Sequence, residues 1–489
     1  MSTTTTTGFC RVTVVAPDSR IDVALPVDIA IADIYPEILR LTGQTQPVGA
    51  PTGYHLVRRD GRVLDGARTL AAERVLDGEV LGLRPFAESL PPAVHDDVSD
   101  AVASAVVRDR HLWSEELLRI AGLSGGAVLL LLCALLLWHA DPARHDMHGL
   151  PGVLAGGLGM LLTAFAGVRA RVYADRAAAV AVGLGALPLL MLAGSGAVAP
   201  PAGQGPGRLQ FLLGCAVLLL ASLVLVVLTP GGDAPFVAAS FLAVAGVVAS
   251  FVALLADASA TEAASVCAPV AIGLVAFLPG LSARFARLPI GYAAPRSASQ
   301  DAFDPDAPPA AETEPLDAGH IAAQARRGHE MLLGLVAGAS AVVIASAAVL
   351  GFSDDVRAQL LALAAGLAML IRARLFRYTS QVTCVLVAGL AALALLLLGL
   401  ALNPPADALT ELVLHGDGGA LDLRAAWLTA AVAAGAMLLT TIGLIVPRKG
   451  LSPFWGRFLD LTEGAVLLVL VPLCLAVLGV LSDVRSMLG

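Results

Sequence analysis

The stretch IAGLSGGAVLLLLCALLLW, residues 120–138, decides the class of this protein. It is about as long as the 20 or so residues with which an α-helix crosses the hydrocarbon core of a bilayer. It contains no charged side chain. A helix on the surface of a soluble protein would keep one polar face. This stretch therefore predicts a membrane span.

Similar apolar blocks recur along the rest of the chain and predict about eleven spans in all. We place them at residues 120–138, 150–168, 177–198, 209–229, 235–256, 263–281, 331–352, 356–371, 382–402, 425–446 and 462–481. The seventh and eighth are separated only by Ser353–Asp355, which predicts a tight hairpin. The chain is 57% apolar and 14% charged, and its net charge of −8 gives no basic footprint for nucleic acid.

Ionisable residues are almost missing from the middle of these blocks. Proteins that move ions or protons normally keep such groups at mid-depth in spite of their cost. Pro188, Pro269 and Pro472 lie within spans and are predicted to kink them. Broken helices mark substrate sites in transporters, but here no charged or polar cluster accompanies the prolines. The pattern favours a scaffold.

Glycine and alanine are concentrated in several spans, as in Gly152–Gly159, Ala181–Gly185 and Leu361–Leu367. Small side chains let helices approach closely in lipid, where burial of apolar area supplies no driving force. Two interpretations stay open. The small residues pack helices within one bundle, or they form a face for a second copy of the chain.

The first 86 residues are different and alternate as a soluble domain does. The pattern predicts strands at Phe9–Ala16 and Ile21–Leu25, a helix at Ile29–Leu41, strands at Tyr54–Arg58 and Arg62–Leu64, a short helical connector at Thr69–Leu76 and a strand at Glu79–Arg84. This is the order of the ubiquitin-like β-grasp fold. Pro85-Phe86 continues the chain where a conjugated modifier ends in diglycine, so a docking module is expected.

Two arginines are candidate docking residues of this domain. In the predicted register Leu81 and Leu83 point inward, whereas Arg84 faces out beside Arg58. Either these arginines are simply solvated, or they form a binding face for an acidic partner.

The predicted domain order extends from the head through a linker into the membrane. Residues 1–8 are expected to be disordered, 9–86 to form the ubiquitin-like domain, 87–119 an amphipathic linker helix, 120–281 the first six spans, 282–330 a cytosolic loop and 331–489 the last five spans with a short tail. Trp113 suits the water–lipid boundary, and the linker lies on the membrane or packs on a partner.

The long loop opens with Arg284 and Arg287, becomes rich in proline and acidic residues, and closes with a short helix at Ala318–Glu330. The segment Asn403–Asp422 is expected to be a flexible external contact loop. No signal peptide opens the chain, which predicts a cytosolic N-terminus.

Positive charges are unevenly distributed between the two sides of the predicted bundle. One side receives Arg108, Arg110, Arg119, Arg169, Arg171, Arg176, Arg284, Arg287, Arg296, Arg326, Arg327, Arg372, Arg374, Arg377, Arg448, Lys449 and Arg457. The other receives Arg144, Arg208, Arg357, Arg424 and Arg485. The richer side is expected to be cytosolic. The protein is then a multi-pass membrane protein with an extracytoplasmic C-terminus.

The sequence offers little catalytic chemistry. Residues that can bind zinc occur in the first outer loop, at His139, Asp141, His145, Asp146 and His148. Their spacing is irregular, which favours a wet polar loop over a metal site. The six cysteines lack metal-ligand spacing and are expected to be packing residues. We expect no cofactor, no metal and no enzymatic activity. A secondary transporter with a regulatory head is the alternative, and a membrane enzyme acting on lipid is a third possibility.

Nearly the whole chain resembles the EccD family, the polytopic membrane subunit of actinobacterial type VII (ESX) secretion systems. The resemblance rests on the element order of the head, on Leu281–Pro289 (LSARFARLP) at the mouth of the long loop, and on Ser452–Asp460 (SPFWGRFLD) leading to Ser482–Arg485 (SDVR). None of these motifs is catalytic.

The resemblance implies a structural component of a complex in the bacterial inner membrane, which assembles with EccB, EccE and the ATPase EccC. It implies that two copies pack together around a lipid-lined vestibule and that the head docks on cytosolic parts of EccC and EccE. With membrane lipids, these are the expected partners. Arg58, Arg84, Trp113, Arg284 and Arg287 are the candidate contact residues.

Overall fold

The computed structural model describes residues 8–17, 19–43, 53–85, 114–201, 204–287, 318–449 and 452–480. The chain divides into two compact units, residues 1–112 and 113–489. The predictions for residues 1–7, for the linker up to Trp113, for the acidic middle of the long loop and for the C-terminal tail lie outside the described residues.

The N-terminal unit is a four-stranded sheet covered by one helix. Strands β1 (Phe9–Val15), β2 (Arg20–Pro26), β3 (Tyr54–Arg58) and β4 (Val80–Pro85) follow the order β2-β1-β4-β3, and helix α1 is Ile31–Thr42. β1 and β4 pair in parallel, and the other pairs are antiparallel. Ile31 and Ile38 of α1 share the core with Leu56, Leu81 and Leu83. The ubiquitin-like β-grasp prediction is confirmed.

Two predicted elements of this unit are shorter than expected. The Asp60-Gly61 turn forms and brings the Leu64 amide to the Leu56 carbonyl at 2.9 Å. The predicted strand Arg62–Leu64 is nevertheless reduced to a single bridge between Val57 and Val63. An Asp65 side chain that accepts from the Ala67 amide at 3.0 Å turns the chain away at once. The predicted connector helix at Thr69–Leu76 is a series of turns.

The C-terminal unit is a helical bundle. Its helices are α2 (Glu115–Trp138), α3 (Leu150–Arg171), α4 (Arg176–Ser195), α5 (Arg208–Leu228), α6 (Ala234–Leu255), α7 (Ala260–Leu274), α8 (Leu278–Phe285), α9 (Ala318–Gly351), α10 (Val356–Arg372), α11 (Thr379–Leu402), α12 (Ala406–His415), α13 (Gly419–Lys449) and α14 (Pro453–Val477). In the described chain ten helices are long and apolar enough to cross a membrane. The pair α7–α8 makes an eleventh, so the predicted fold class is confirmed.

The sixth predicted span, residues 263–281, is broken where the sequence did not suggest it. α7 and α8 meet at an angle of 69°. The break precedes Pro279, whose missing N–H cannot bond to the Val275 carbonyl. Pro188, Pro269 and Pro472 lie inside α4, α7 and α14, which continue through them. A helix can bend at a proline without ending there, so the kinks expected at these residues stay a prediction.

Three other boundaries differ from the sequence prediction. α9 runs without a break from Ala318, so the expected short loop helix is the first part of a 34-residue helix. α2 begins at Glu115 because the Ser114 side chain caps it, accepting from the Leu117 amide at 3.2 Å. The expectation of a flexible loop at 403–422 is wrong. These residues include α12, whose C-cap is Gly416 with a φ of 69°.

The core of the bundle lies around α9 and α10. α9 packs on α6, α7, α8, α10 and α11, and α10 packs on α11 and α14. The largest apolar cluster joins Ile272 of α7, Val343 of α9, Met369 of α10 and Leu470 of α14. The predicted hairpin between the seventh and eighth spans is confirmed, with Asp355 accepting from the Arg357 amide at 3.0 Å.

Candidate functional site

The two candidate arginines of the head do not lie side by side. In the β3–β4 register Arg58 is opposite Leu81, whereas Arg84 is opposite His55. Directly opposed residues share a face, so Arg58 is on the face of the buried Leu81 and Arg84 is on the other. The prediction that both face out together is therefore wrong.

The two arginines also differ in what they contact. The Arg58 guanidinium donates to the Glu73 carbonyl at 2.7 Å and lies 3.3 Å from a Glu79 carboxylate oxygen. Its side chain is 19% exposed. Arg84 is exposed and forms no ion pair with any residue that the structure describes. Arg58 fastens the head internally, and Arg84 stays available to a partner.

The candidates near the membrane are Trp113, Arg284 and Arg287. Trp113 lies outside the described residues. Arg284 is in the last turn of α8 and Arg287 follows it, and both are exposed. Neither pairs with an acidic residue in the described ranges, so they present two unneutralised charges where the chain leaves the bundle.

Most glycines of the small-residue stretches pack against neighbouring helices of the same bundle. A Cβ on Gly183 would lie 2.5 Å from Phe236 Cζ, one on Gly159 would lie 2.7 Å from Leu190 Cγ, and one on Gly366 would lie 2.9 Å from Leu393 Cγ. Distances this short leave no room for a side chain. For these positions the first interpretation, close packing within the bundle, is confirmed.

Basic and acidic residues form a set of ion pairs at one end of the bundle, which we call the basic side. The carboxylate of Asp175, which precedes α4, is paired with Arg119 of α2 and Arg169 of α3. It also accepts from the Ala178 amide at 3.1 Å. The backbone hydrogen bond, with the two arginines, holds the pKa of Asp175 below its ordinary value. One carboxylate thus links the ends of three helices.

Further pairs on the basic side link the remaining helices. Asp233, at the start of α6, is fully buried and lies 2.6 Å from Arg327 of α9. Glu463 of α14 lies 3.0 Å from Arg372 and 3.1 Å from Arg374, at the end of α10. Five arginines that the sequence assigned to the cytosolic side are therefore paired with carboxylates of the same chain: Arg119, Arg169, Arg327, Arg372 and Arg374.

Sequence reasoning missed these acidic partners, although local signals for them exist. Asp175 and Asp233 each stand two residues before a predicted span, in the region where residues that cap a helix start occur. Glu463 stands at the start of the last span, but its partners are far away in sequence.

The buried charged side chains of the described bundle are Asp233 and Arg372, and both lie at helix ends. Deeper buried polar groups are hydroxyls, such as Ser222, which accepts from Ser240 at 2.9 Å. Hydroxyls do not titrate near neutral pH, so this arrangement offers no acid–base pair at mid-depth.

The histidines of the first outer loop do not converge on one point. The Nδ1 atoms of His139, His145 and His148 lie within 3.0 Å of the carbonyls of Leu135, Trp138 and Gly196, in that order. His145 also stacks on the Trp138 ring. Each ring is held by a different backbone carbonyl. No group of three potential ligands occurs in the described part of the chain.

Helix α13 differs from the other spans. It is 31 residues long, yet none of its described side chains is buried. Its close approaches in the described bundle are to α11 and α12. Near its start Arg424 donates to the Leu400 carbonyl at 2.5 Å and the Asn403 carbonyl at 3.1 Å. The helix is held at one end and leaves its apolar length uncovered.

Together, the fold and these surfaces define a polytopic membrane protein with a ubiquitin-like head and a helical bundle in which several arginines pair with carboxylates. The family model described as EccD-like transmembrane domain matches residues 118–487. The model for YukD, a protein of the WXG100 protein secretion system, matches residues 9–83. The chain belongs to the EccD family.

Two relatives match almost the full length of the chain. The ESX-4 secretion system protein eccD4 of Mycobacterium tuberculosis, from strains CDC 1551 / Oshkosh and H37Rv, is 28% identical over 498 residues, covering 98% of each chain. Among solved structures, protomer 1 of the ESX-3 core complex has a TM-score of 0.59 at 20% identity, covering 97% of this chain and 100% of that one.

A chain of the MycP5-free ESX-5 inner membrane complex has a TM-score of 0.52 at 21% identity, covering 88% of this chain and 99% of that one. At these identities the structural matches establish the shared fold.

Proposed function

We propose that this protein is a non-enzymatic scaffold of a type VII (ESX) secretion complex in a bacterial inner membrane. In this proposal two copies pair within the membrane, and the ubiquitin-like head docks the EccC ATPase. EccB and EccE complete the assembly. The N-terminus is cytosolic and the C-terminus extracytoplasmic. The names of the relatives and their agreement over nearly the whole chain support the system, and the surfaces described above support the role.

The observation that carries the scaffold role is the uncovered length of α13. A chain that needed this helix only for its own stability would pack it into its bundle. α13 carries a small-residue face at Ala430, Ala433 and Ala434, and a Cβ added at Gly435 would have no atom within 4 Å. Small residues permit close helix contact in lipid. We assign this face to pairing with a second copy.

The head and the basic side supply the contacts for the motor. Arg84 is exposed on the head, and Arg284 and Arg287 are exposed at the end of α8. No ion pair to any of these three arginines occurs among the described residues, so each keeps its positive charge. An acidic surface on the ATPase or EccE is the complement.

The transporter alternative has little support in the geometry. A proton- or ion-coupled carrier needs ionisable groups near mid-depth, whereas the buried charges described here lie at helix ends. We therefore retain the scaffold.

The first test determines which proteins form a complex with this chain in its native membrane. The tagged chain is purified from native membranes in mild detergent, and its associated proteins are identified by mass spectrometry. We expect a large complex that contains an FtsK-like ATPase. Recovery of the chain alone, under conditions where the ATPase is present in the membranes, contradicts the proposal.

The second test locates the pairing face. A photo-crosslinking amino acid is placed at Met437 of α13, one turn beyond Ala433 and Ala434 on the same face of the helix. The matched control is Leu161 of α3, since both side chains are exposed. We expect crosslinked dimers of the chain from position 437 and none from 161. Crosslinks from 437 to a different subunit assign α13 to that subunit and contradict pairing at this face.

A further inference from the structure

α6 and α7 are consecutive helices that leave space between them. One cavity of about 620 Å³ is bounded by these helices with α5 and α9, and another of about 560 Å³ lies along the same pair. The two share lining residues, including Ala249 and Ala263. Both have volumes in the range of small-molecule sites, about 300–1,000 Å³. We call this joined space the α6–α7 slot.

The walls of the slot are nearly all apolar. α6 contributes Ala245, Ala249 and Ala253, which follow one another at one-turn spacing, and α7 contributes Ala263. Ser250 is a polar exception, but its hydroxyl donates to the Gly246 carbonyl of its own helix at 2.6 Å. An ordered water needs two to four polar partners. The slot therefore does not suit water.

An empty slot is also unfavourable. The cost of a cavity increases with its volume, because the atoms that line it lose contacts on one side. Elsewhere in this bundle small residues bring helices into direct contact, as Gly183 does against Phe236. Here alanines line a space. Hydrocarbon chains fit such walls.

One end of the slot carries three charges. Arg208, the first residue of α5, lines the larger cavity, and Glu262 in the first turn of α7 lines the smaller one. Arg208 is paired with the carboxylate of Asp257 and donates to the Asp257 carbonyl at 3.2 Å. That pairing holds the pKa of Asp257 below its ordinary value. The rim therefore has one positive and two negative side chains.

We propose that the α6–α7 slot holds one diacyl aminophospholipid of the phosphatidylethanolamine class. Its acyl chains lie between the alanines of α6 and α7. Its phosphate lies at Arg208, and its ammonium lies at Asp257 and Glu262. The charges decide among headgroups. A purely anionic headgroup faces two carboxylates, and a choline group has no N–H to donate to them.

The first experiment compares headgroups on the full-length wild-type chain. The protein is purified in mild detergent and delipidated. It is then titrated with phosphatidylethanolamine, phosphatidylglycerol and phosphatidylcholine of matched acyl chains, and bound lipid is counted by native mass spectrometry. We expect one phosphatidylethanolamine to bind about tenfold more tightly than the other two, which corresponds to one or two additional charge-assisted hydrogen bonds. Equal binding of the three lipids overturns the headgroup assignment.

The second experiment changes the net charge of the side chains at the rim of the slot. Glu262→Gln keeps a side chain that can still bond to the Ser259 amide, so the helix start is preserved. Removing this negative charge is expected to shift preference from phosphatidylethanolamine towards phosphatidylglycerol. Arg208→Gln is expected to weaken binding of all three lipids. If neither variant changes the order of preference, the rim does not select the headgroup.

The third experiment fills the slot. Ala249→Phe places a ring between α6 and α7, and Ala164→Phe makes the same change on the exposed face of α3. We expect the first to lose the tightly bound lipid and the second to keep it. Lipid retained in full by Ala249→Phe overturns the location. Should that variant fail to fold, Ala263→Leu is the smaller substitution that provides the same comparison.

Discussion

α9 and α13 are both long apolar helices, but they differ in how much of their surface the rest of the chain covers. They contain 34 and 31 residues. More than half of the membrane-depth residues of α9 are buried, and none of α13 is. α9 contacts five other helices, whereas α13 is held near one end by Arg424. α9 is covered by helices of its own chain, whereas the surface of α13 is exposed to lipid or to another protein.

This contrast shows what composition reveals within a membrane and what it does not. Lipid tails are as apolar as leucine, so a helix facing lipid and a helix facing protein have the same apolar character. The difference lies in individual close contacts. Gly399 of α11 approaches the Gly351 carbonyl at the end of α9, whereas Gly435 of α13 has nothing near it.

The largest effect is expected from a substitution at the α9–α11 contact. In Gly399→Leu the new Cβ would overlap the backbone oxygen of Gly351, which no side-chain rotation relieves. We expect a loss of about 3 kcal/mol or more, comparable to the worst overpacked cores. Thermal unfolding of the detergent-purified chain, followed by size-exclusion chromatography, measures it.

Gly443→Leu is the matched control for this substitution. It makes the same chemical change in α13, at an open position on the side of the helix away from Ala430, Ala433 and Ala434. Its unfolding temperature should be at least that of the wild type, because leucine favours a helix over glycine. Equal losses in the two variants would remove the distinction between α9 and α13.

A slightly smaller effect is expected at the end of α10. Glu463→Gln leaves Arg372, whose side chain is 7% exposed, without its carboxylate partner. Breaking a buried pair from one side costs about 3 kcal/mol. Asp460→Asn removes a carboxylate that is 71% exposed from Arg374 and should cost under about 1 kcal/mol. Similar unfolding temperatures for the two variants would show that burial does not determine how much each ion pair contributes to the free energy of unfolding.

The Asp175 link provides a prediction with a pH signature. Asp175→Asn removes the charge that holds Arg119 and Arg169 at the ends of α2 and α3, and we expect a loss of about 2 kcal/mol near neutral pH. Because the folded protein lowers this pKa, its stabilisation is complete above the ordinary value of about 3.9 and disappears as the pH falls below it.

The measurement is the difference in unfolding temperature between wild type and Asp175→Asn as a function of pH. The difference should be constant from about pH 8 to 5 and should shrink below about pH 4. Asp407→Asn, in the first turn of α12, controls for the substitution itself. A difference that grows on acidification would contradict the assignment.

Much of the fold was predictable because its signals are local. A block without charges gives a span, alternation in Phe9–Val15 gives a strand, and isoleucines at helical spacing in Ile31–Ile38 give the helix of the head. The break between α7 and α8 was not found, because three prolines in the spans looked equally disruptive and a fourth, Pro279, is the one at the break. α12 was not found because the segments on either side of it, Asn403–Pro405 and Gly416–Gly419, have the composition of a loop.

The candidate site was harder to predict because it depends on contacts distant in sequence. Exposed Arg84, Arg284 and Arg287 could be proposed from their positions. The roles of Arg58 and Arg327 could not, since their partners Glu79 and Asp233 are brought to them by the fold. The register of the β3–β4 pair places Arg58 on the side of the buried Leu81, where it supports the head internally instead of facing a partner.

The smallest effect is expected in the head, where Arg58 and Arg84 repeat the contrast between covered and uncovered groups. Arg58→Gln loses the pairing with Glu79 and weakens the bond to the Glu73 carbonyl, at a cost of about 1 kcal/mol. Arg84→Gln should change stability by less than about 0.5 kcal/mol. In the full-length chain, hydrogen exchange at the Leu56 and Leu81 amides should quicken about fivefold in the first variant alone.

If Arg84 docks the ATPase, substitutions at Arg84 should affect ATPase binding more than substitutions at Arg58 do. Arg84→Glu should reduce co-purification of the ATPase while leaving head exchange unchanged, and Arg84→Lys should retain it because the positive charge is kept. If Arg84→Glu leaves the ATPase bound and Arg58→Gln releases it, the loss follows head stability. The exposed arginine is then a solvated group, and the motor docks on another surface of this domain.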